Sequence, residues 1–360
     1  MVCNMVILHI CAVENKMSNG ATVAALNHIN EQAKTGQAHI MACHVKNETL
    51  PWDDAVEVVA YDALQDILAQ VDLVVFHEIY YGSFFQIGKL LRKENIPYVI
   101  VAHGGLTEGA QSQRRLPKTV VNIGWAKAFI CGAKAIHFLS QREYATSVQW
   151  NKHYFISPNG VHMPQEQKQY VETKENLRFL YIGRINLFYK GLDILCQACG
   201  EIAQKMRERQ MKISIHGPQE GEDYHTLLRL IQKNHVEDVI EVSDGVFGQE
   251  KIQTLLSADA FIQPSRSEGQ PMGILDAMSV GLPVIVTPGT SFDGIVEERQ
   301  CGWTTVADSH ELAKTILQVY DERNLLAEKS VCARACVEEL FQWENVAKQT
   351  IGQYENLLNE

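Results

Sequence analysis

At 360 residues the chain is about twice the usual length of one domain, and with 46% hydrophobic and 21% charged residues it can bury two ordinary cores. A net charge of −11 argues against nucleic acid as a partner, since binding a polyanion takes a surplus of cations. No apolar run is long enough to span a bilayer, and nine scattered cysteines form no disulfide or zinc framework, so a reduced, cytoplasmic chain is expected.

The apolar start, Met1 to Cys11, has no basic region before it and no small-residue cleavage site after it. It reads as a first buried strand over Val6–Cys11. A helix follows over Ala21–Lys34, a strand over His39–His44, a helix over Tyr61–Ala69 and a strand over Leu73–Phe76. Then come a helix over Phe84–Glu94, a strand over Tyr98–Ala102, a helix around Trp125–Cys131, and short apolar runs at Ala135–Leu139 and Tyr154–Ile156. Alternation of this kind calls for a parallel sheet wrapped by helices. Between Arg114 and Lys134, the cations Arg114, Arg115, Lys118, Lys127 and Lys134 interleave with Leu116, Val120, Val121, Ile123, Trp125, Phe129 and Ile130. That run reads either as a solvated helix face or as a surface leaning on anionic membrane.

The polar segment Val161–Lys174, with Pro164, is the linker candidate, and after it the pattern restarts. Strands are expected over Phe179–Ile182, Lys212–His216, Ile240–Val242, Ala260–Gln263 and Val284–Thr287. Helices are expected over Gly191–Arg207, Tyr224–Lys233, Lys251–Ser257 and Gly273–Val280, and a last one over Trp343–Leu358. Cys196 with Cys199, and Cys332 with Cys336, lie among Ala, Leu and Ile in helical stretches and read as buried thiols rather than metal ligands. The fold class is therefore α/β, with two Rossmann-like, doubly wound domains facing a central cleft. The expected domains are 1–165 and 166–342, with 343–360 either capping the second or packing back on the first.

Two constellations carry chemistry. From Pro264 to Met278 a strand ends, a polar loop follows and a helix begins near Met272, with carboxylates at Glu268 and Asp276. Unpaired N–H groups at a helix start, approached by a glycine-flanked loop, suit sugar hydroxyls or phosphate, and carboxylates accept from vicinal hydroxyls. Taken alone, the same residues could simply cap and solvate a helix start. The second constellation is Gly183-Arg184 after a strand and Lys190-Gly191 before a helix. Two cations from one βα loop suit a diphosphate leaving group, although exposed Lys and Arg are the norm.

The order Tyr181-Ile-Gly-Arg184, Lys190-Gly-Leu-Asp-Ile-Leu195, Pro264-Ser265, Glu268-Gly269, Ala277-Met278 and Gly281-Leu282-Pro283-Val284 resembles glycosyltransferase family 4, the retaining GT-B enzymes of group 1. Pro158-Asn159-Gly160-Val161 is similar to that family's strand-to-linker signature, and the likeness runs over most of Phe155–Tyr354. It implies that Arg184 and Lys190 neutralise the diphosphate. It implies that Glu268, with the amides of Gly269, Gln270, Met272 and Gly273, holds the donor sugar; Pro271 cannot donate. Gly183 would line the phosphate strand, Asp276 would contact ribose, and Gly20 would let an amide approach the phosphate. His103 would face the sugar, unless it is a structural histidine at a strand end, just as Gly20 also reads as a plain loop glycine before a helix capped by Ser18 or Asn19. The family has glutamate where this chain has Asp276, one methylene shorter.

The resemblance further implies a metal-independent, retaining hexosyltransferase without a cofactor, the nucleotide sugar being a substrate. A UDP-sugar is favoured as donor and a GDP-sugar next. The acceptor would be a saccharide or lipid-linked saccharide in surface polysaccharide or lipopolysaccharide biosynthesis; on its membrane-leaning reading, the basic run would bring the N-terminal domain to the inner face of the membrane. No Asp-x-Asp occurs in the chain to bind a divalent ion. Other readings are an epimerase-like or non-catalytic sugar-nucleotide binder, a phosphorylase needing pyridoxal, and an oxidoreductase. The last is disfavoured because the first βα turn lacks G-x-G-x-x-G.

Overall fold

The computed structural model describes residues 5–14, 20–112, 125–170 and 175–360. The chain divides into two compact units, Met1–Gly160 with Trp343–Glu360, and Val161–Gln342. No helix among the described residues is long and apolar enough to cross a membrane.

The first unit is a seven-stranded sheet in the order β3-β2-β1-β4-β5-β6-β7, every neighbouring pair parallel. The strands are β1 (Met5–Cys11), β2 (Ala38–His44), β3 (Glu57–Val59), β4 (Leu73–His77), β5 (Tyr98–Val101), β6 (Ala135–Phe138) and β7 (Tyr154–Ile156). Side chains alternate between faces, as strand geometry requires. Leu8, Ile10, Val74, Phe76 and Ile100 enter one core with Phe84 and Phe129. Ile7, Val75, Val99 and Val101 enter the opposite one with Ile29 of the helix Gly20–Lys34 and Ile351 and Tyr354 of the last helix, Trp343–Asn359. The last helix is also tied to the strand end after β7, where the Ser157 and Thr350 hydroxyls lie 2.6 Å apart.

The second unit is a six-stranded parallel sheet in the order β10-β9-β8-β11-β12-β13. Its strands are β8 (Arg178–Ile182), β9 (Lys212–His216), β10 (Ile240–Ser243), β11 (Ala260–Gln263), β12 (Val284–Val286) and β13 (Gly302–Thr304). The helix Leu192–Glu208 buries Leu192, Leu195, Cys196, Cys199, Ile202, Ala203 and Met206, a stripe at three- and four-residue spacing. Each sheet reverses its strand order once, between β1 and β4 in the first unit and between β8 and β11 in the second. Ligands of open parallel sheets bind outside the strand ends at such a reversal.

Several expectations need adjustment. Tyr61–Ala69 is a short α-helix, Leu64–Ile67, flanked by single 3-10 turns rather than one helix. The linker stretch is not free of the second unit: Lys168 Nζ donates to the Leu256 carbonyl at 2.8 Å and Tyr170 Oη to the Asp259 carbonyl at 2.7 Å. In the basic run, Phe129 and Ile130 are core residues rather than a surface, because the helix Lys127–Cys131 packs that face inward; Trp125 is 60% exposed. Arg114, Arg115, Leu116, Lys118, Val120, Val121 and Ile123 lie outside the described residues, as do Ser18 and Asn19.

Candidate active site

In the second unit, β8 and β11 are hydrogen-bonded neighbours, so the loops leaving their C-terminal ends lie side by side at the strand-order reversal. From β8 the chain runs through Gly183 and Arg184 to a one-turn helix, Leu187–Lys190, whose start is capped by Asn186 accepting from the Tyr189 amide at 2.8 Å. Gly191 ends that turn with φ +67, and a Cβ there would sit 2.0 Å from the Pro264 carbonyl oxygen. Only glycine permits both the left-handed backbone and this approach to the end of β11. Lys190 is thereby set directly over the β11 loop.

The two constellations meet through an ion pair. Lys190 Nζ lies 2.6 Å from Glu268 Oε1, with both side chains largely withdrawn from solvent, at 14% and 13% exposure. The same oxygen accepts from Ser265 Oγ at 2.8 Å and from Gln263 Nε2 at 3.2 Å. Ser265 is held in turn by its carbonyl, which accepts from Thr287 Oγ1 at 2.5 Å, and the Glu268 amide donates to the Gly289 carbonyl at 2.8 Å. Charged hydrogen bonds in a half-dry loop are stronger than neutral ones, so Glu268 is a fixed acceptor rather than a mobile surface acid.

Arg184 is exposed and its guanidinium has no ion-pair partner among the described residues, while its carbonyl accepts from Tyr181 Oη at 2.9 Å. Gly183 donates its amide to the His216 carbonyl at 2.9 Å. Gly269, Gln270, Met272 and Gly273 carry the loop into the helix Met272–Ser279, whose N-cap is Pro271. Gly273 brings that helix start against β8: a Cβ on it would lie 3.0 Å from the Ile182 carbonyl oxygen. Arg184, Lys190, Glu268 and these loop residues are thus gathered at one sheet edge. Asp276 differs from them, since its Oδ2 is engaged by Lys251 Nζ at 2.8 Å.

His103 and Gly20 belong to the first unit. His103, just past β5, has φ +45, and Gly104 after it has φ +78, a pair of left-handed residues. Holding that turn is a buried carboxylate, Glu143. Its Oε1 accepts from the Gly104 amide at 2.5 Å and its Oε2 from the Leu139 amide at 2.6 Å. Burial pushes Glu143 up to about 7. His103, itself part-exposed, stands with four buried imidazoles, His9, His28, His77 and His137, and withdrawal from water lowers all five: His9 and His103 to about 3, His28 to about 4, and His77 and His137 well below their usual range. Gly20 opens the helix Gly20–Lys34, with open space where a Cβ would stand.

The second unit is also the part of the chain that resembles known proteins in sequence. Residues 176–322 match the family model described as glycosyl transferases group 1. That stretch makes up most of the second unit, which is similar to that family. The chain is 26% identical over 192 residues to an MMP alpha-(1->4)-mannosyltransferase of Mycolicibacterium hassiacum, covering 52% of this chain and 45% of the relative. It is 29% identical over 173 residues to the amylovoran biosynthesis glycosyltransferase AmsK of Erwinia amylovora, covering 46% of this chain and 41% of the relative. The aligned part is therefore less than half the length of either relative. Among solved structures, the Anabaena protein HepE in complex with UDP-glucose superposes with a TM-score of 0.74, covering 98% of this chain and all of that one, at 17% identity. That likeness is one of fold, and the GT-B architecture expected from the sequence is the one found.

Within the second unit, several residues that support the site are not evident from motif spacing. Arg266 clamps its loop to the helix Leu192–Glu208 through two 2.7 Å bonds to the Asp193 carboxylate, and Nη1 also donates to the Phe188 carbonyl at 3.0 Å. Lys251, Gln263 and Thr287 likewise come from separate elements. The Cys196 and Cys199 thiols are buried in the helix, and burial raises both. Among the described residues no group of three or more His, Cys, Asp or Glu is arranged to hold a metal ion.

Proposed function

We propose that this protein is a retaining glycosyltransferase that moves a hexose from a nucleoside-diphosphate sugar to a saccharide or lipid-linked saccharide. The observation carrying this reading is the Lys190–Glu268 pair at 2.6 Å, set at the β8–β11 strand-order reversal. A cation for the diphosphate and an acceptor for sugar hydroxyls are held there on one rigid edge. Lys190 and the exposed guanidinium of Arg184 would neutralise the departing diphosphate as the glycosidic bond breaks. Glu268 has three donors on Oε1, which leaves Oε2 to accept from the donor sugar, with the amides of Gly269, Gln270, Met272 and Gly273 alongside. Asp276, with Lys251 beside it, would meet the ribose.

Retention would follow from front-face substitution. The acceptor hydroxyl attacks on the face from which the diphosphate leaves, and a phosphate oxygen takes its proton. Rate enhancement would rest on positioning and leaving-group electrostatics rather than on a protein nucleophile. UDP-sugars are the favoured donors, which the fold likeness to a protein in complex with UDP-glucose supports. A place in surface polysaccharide or lipopolysaccharide synthesis fits the amylovoran relative, with membrane contact through the first unit near the exposed Trp125 and Lys127. No cofactor is needed in this scheme.

Two results are expected. In a thermal-shift screen of UDP-, GDP- and ADP-sugars, at least one will raise the melting temperature, since a ligand that binds only the folded state stabilises it; no shift with any of them would contradict the proposal. Release of the nucleoside diphosphate will survive EDTA, because the cations Lys190 and Arg184 occupy the role a metal would otherwise fill. Abolition by EDTA would overturn the metal-independent scheme.

A further inference from the structure

The first unit holds a row of imidazoles that the donor-site residues above do not explain. β1, β4 and β5 are adjacent strands, and along the face they share the side chains run from apolar to histidine: Ile7 then His9, Val75 then His77, Val101 then His103. His9 Nδ1 lies 3.0 Å from His77 Nε2, and His77 Nδ1 lies 3.2 Å from His103 Nε2. The three rings step across the sheet with centroids 5.3 and 5.5 Å apart, each pair inclined by 27°. His28 lies over the row from the helix Gly20–Lys34, 6.2 Å from His77 and 6.4 Å from His103 between ring centroids, and His137 of β6 flanks it.

A hydrogen bond between two ring nitrogens needs one proton, neither none nor two. Three neutral imidazoles carry three N–H groups, of which two serve the links and one remains at an end of the chain. The inner end, His9 Nε2, is buried without a hydrogen-bond partner, with the Gln32 amide beside it. The outer end is His103 Nδ1, which has no hydrogen-bond partner among the described residues and sits on a part-exposed residue. Two collective orders are possible, with the spare proton on His9 Nε2 or on His103 Nδ1; the first would bury an N–H without an acceptor and the second places it at the part-exposed end, so His103 is held as the Nδ1–H tautomer with Nδ1 outermost. Burial lowers all three rings and keeps them neutral. The backbone is fixed from the other side by Glu143, through the Gly104 amide.

We propose that His9 and His77 are positioning residues that lock the tautomer and ring orientation of His103, so that a single, predetermined Nδ1 is presented at the outer end of the row. A contact of that Nδ1 with sugar would rest on the glycosyltransferase reading; the lock itself is a property of the free protein. A second-layer group fixing which nitrogen of a histidine is presented is a general device of histidine sites.

The test has one arm that needs no activity. Histidine side chains are isotope-labelled and their tautomers read by NMR at neutral pH, in the wild type, in His77→Phe and in His77→Gln. The wild type is expected to show His103 neutral in one tautomer, His77→Phe to show it averaged between two, and His77→Gln, whose amide can restore one bond, to recover most of the wild-type pattern. An unchanged His103 signal in a folded His77→Phe would overturn the proposal, as would averaged tautomers in the wild type. Should His77→Phe fail to fold, His9→Phe and His77→Gln read the same chain at its inner and middle links. In the second arm, UDP release from UDP-glucose is followed. In His77→Phe, kcat is expected to fall by about 10-fold or more, with the donor KM changing far less, since misorienting a reacting group costs rate rather than uniform binding. An unaltered kcat would overturn the positioning role. A wild type that releases no UDP would count against the donor reading, and the NMR arm would still decide the lock.

Discussion

Replacing Lys190 by alanine will slow sugar transfer by at least about 100-fold, the scale seen when a preorganised charge stabiliser is lost from a transition state. The expectation follows from where Lys190 stands. It is fixed by the turn at Gly191, whose left-handed backbone and approach to the Pro264 carbonyl leave no room for another residue, and it is aimed at Glu268 at 2.6 Å. Removing the ammonium takes a cation from the leaving group and also frees Glu268 from its strongest donor. Arg184→Ala should act in the same direction, through the exposed guanidinium alone. Because the lost interaction is made mainly as charge develops, kcat should fall more than KM rises. Steady-state rates for both variants check this, and wild-type-like turnover in either would remove the leaving-group clamp from the account.

A second large effect is acid sensitivity confined to the first unit. His9, His28 and His103 are lowered to about 3, 4 and 3 from 6.5, and His77 and His137 are lowered as well, burial being the leading cause in each. A depressed folded pKa gives a contribution that is fully present above the unfolded value of 6.5 and lost as pH falls, because only the unfolded chain takes up the protons. Glu143 works in the opposite sense. Its pKa is raised to about 7 from 4.5, so in that interval the folded state binds the extra proton and gains relative stability as pH falls. Five imidazoles against one carboxyl leave a net loss of stability as pH falls below 6.5. The histidines of the second unit that the structure describes are not buried. Hydrogen exchange read peptide by peptide, corrected for the intrinsic rate, should therefore lose protection in β1, β4 and β5 well before β8 and β11. Equal protection in both units across this range would contradict the prediction.

The residues gathered at the β8–β11 edge are legible because their spacing is short and their types are specific: a cation after β8, a second before the next helix, and an acid in the loop after β11. What supports them was not, since Arg266 and Asp193 are 73 residues apart in sequence and meet only because β8 and β11 are neighbours. β3 and β13, at three residues each, are too short for alternation to show. The strand containing His9 could be read from its apolar neighbours, but a lone histidine in a strand carries no sign of a partner. The link to His77 spans 68 residues and the link from His77 to His103 spans 26, and both depend on strand order. Glu143 was hidden for a related reason: as the third residue of a helix capped by Ser140 it looks like an ordinary capping-box acid, yet both its oxygens turn inward.

Calorimetric titration of UDP-glucose into the wild type and into the double variant Lys190→Ala, Glu268→Gln tests the central claim, a donor site built on the β8–β11 edge of the second unit. Saturable binding to the wild type, lost in a double variant that still melts cooperatively, is the predicted result. Equal affinity in the two proteins would place the donor elsewhere and contradict the account.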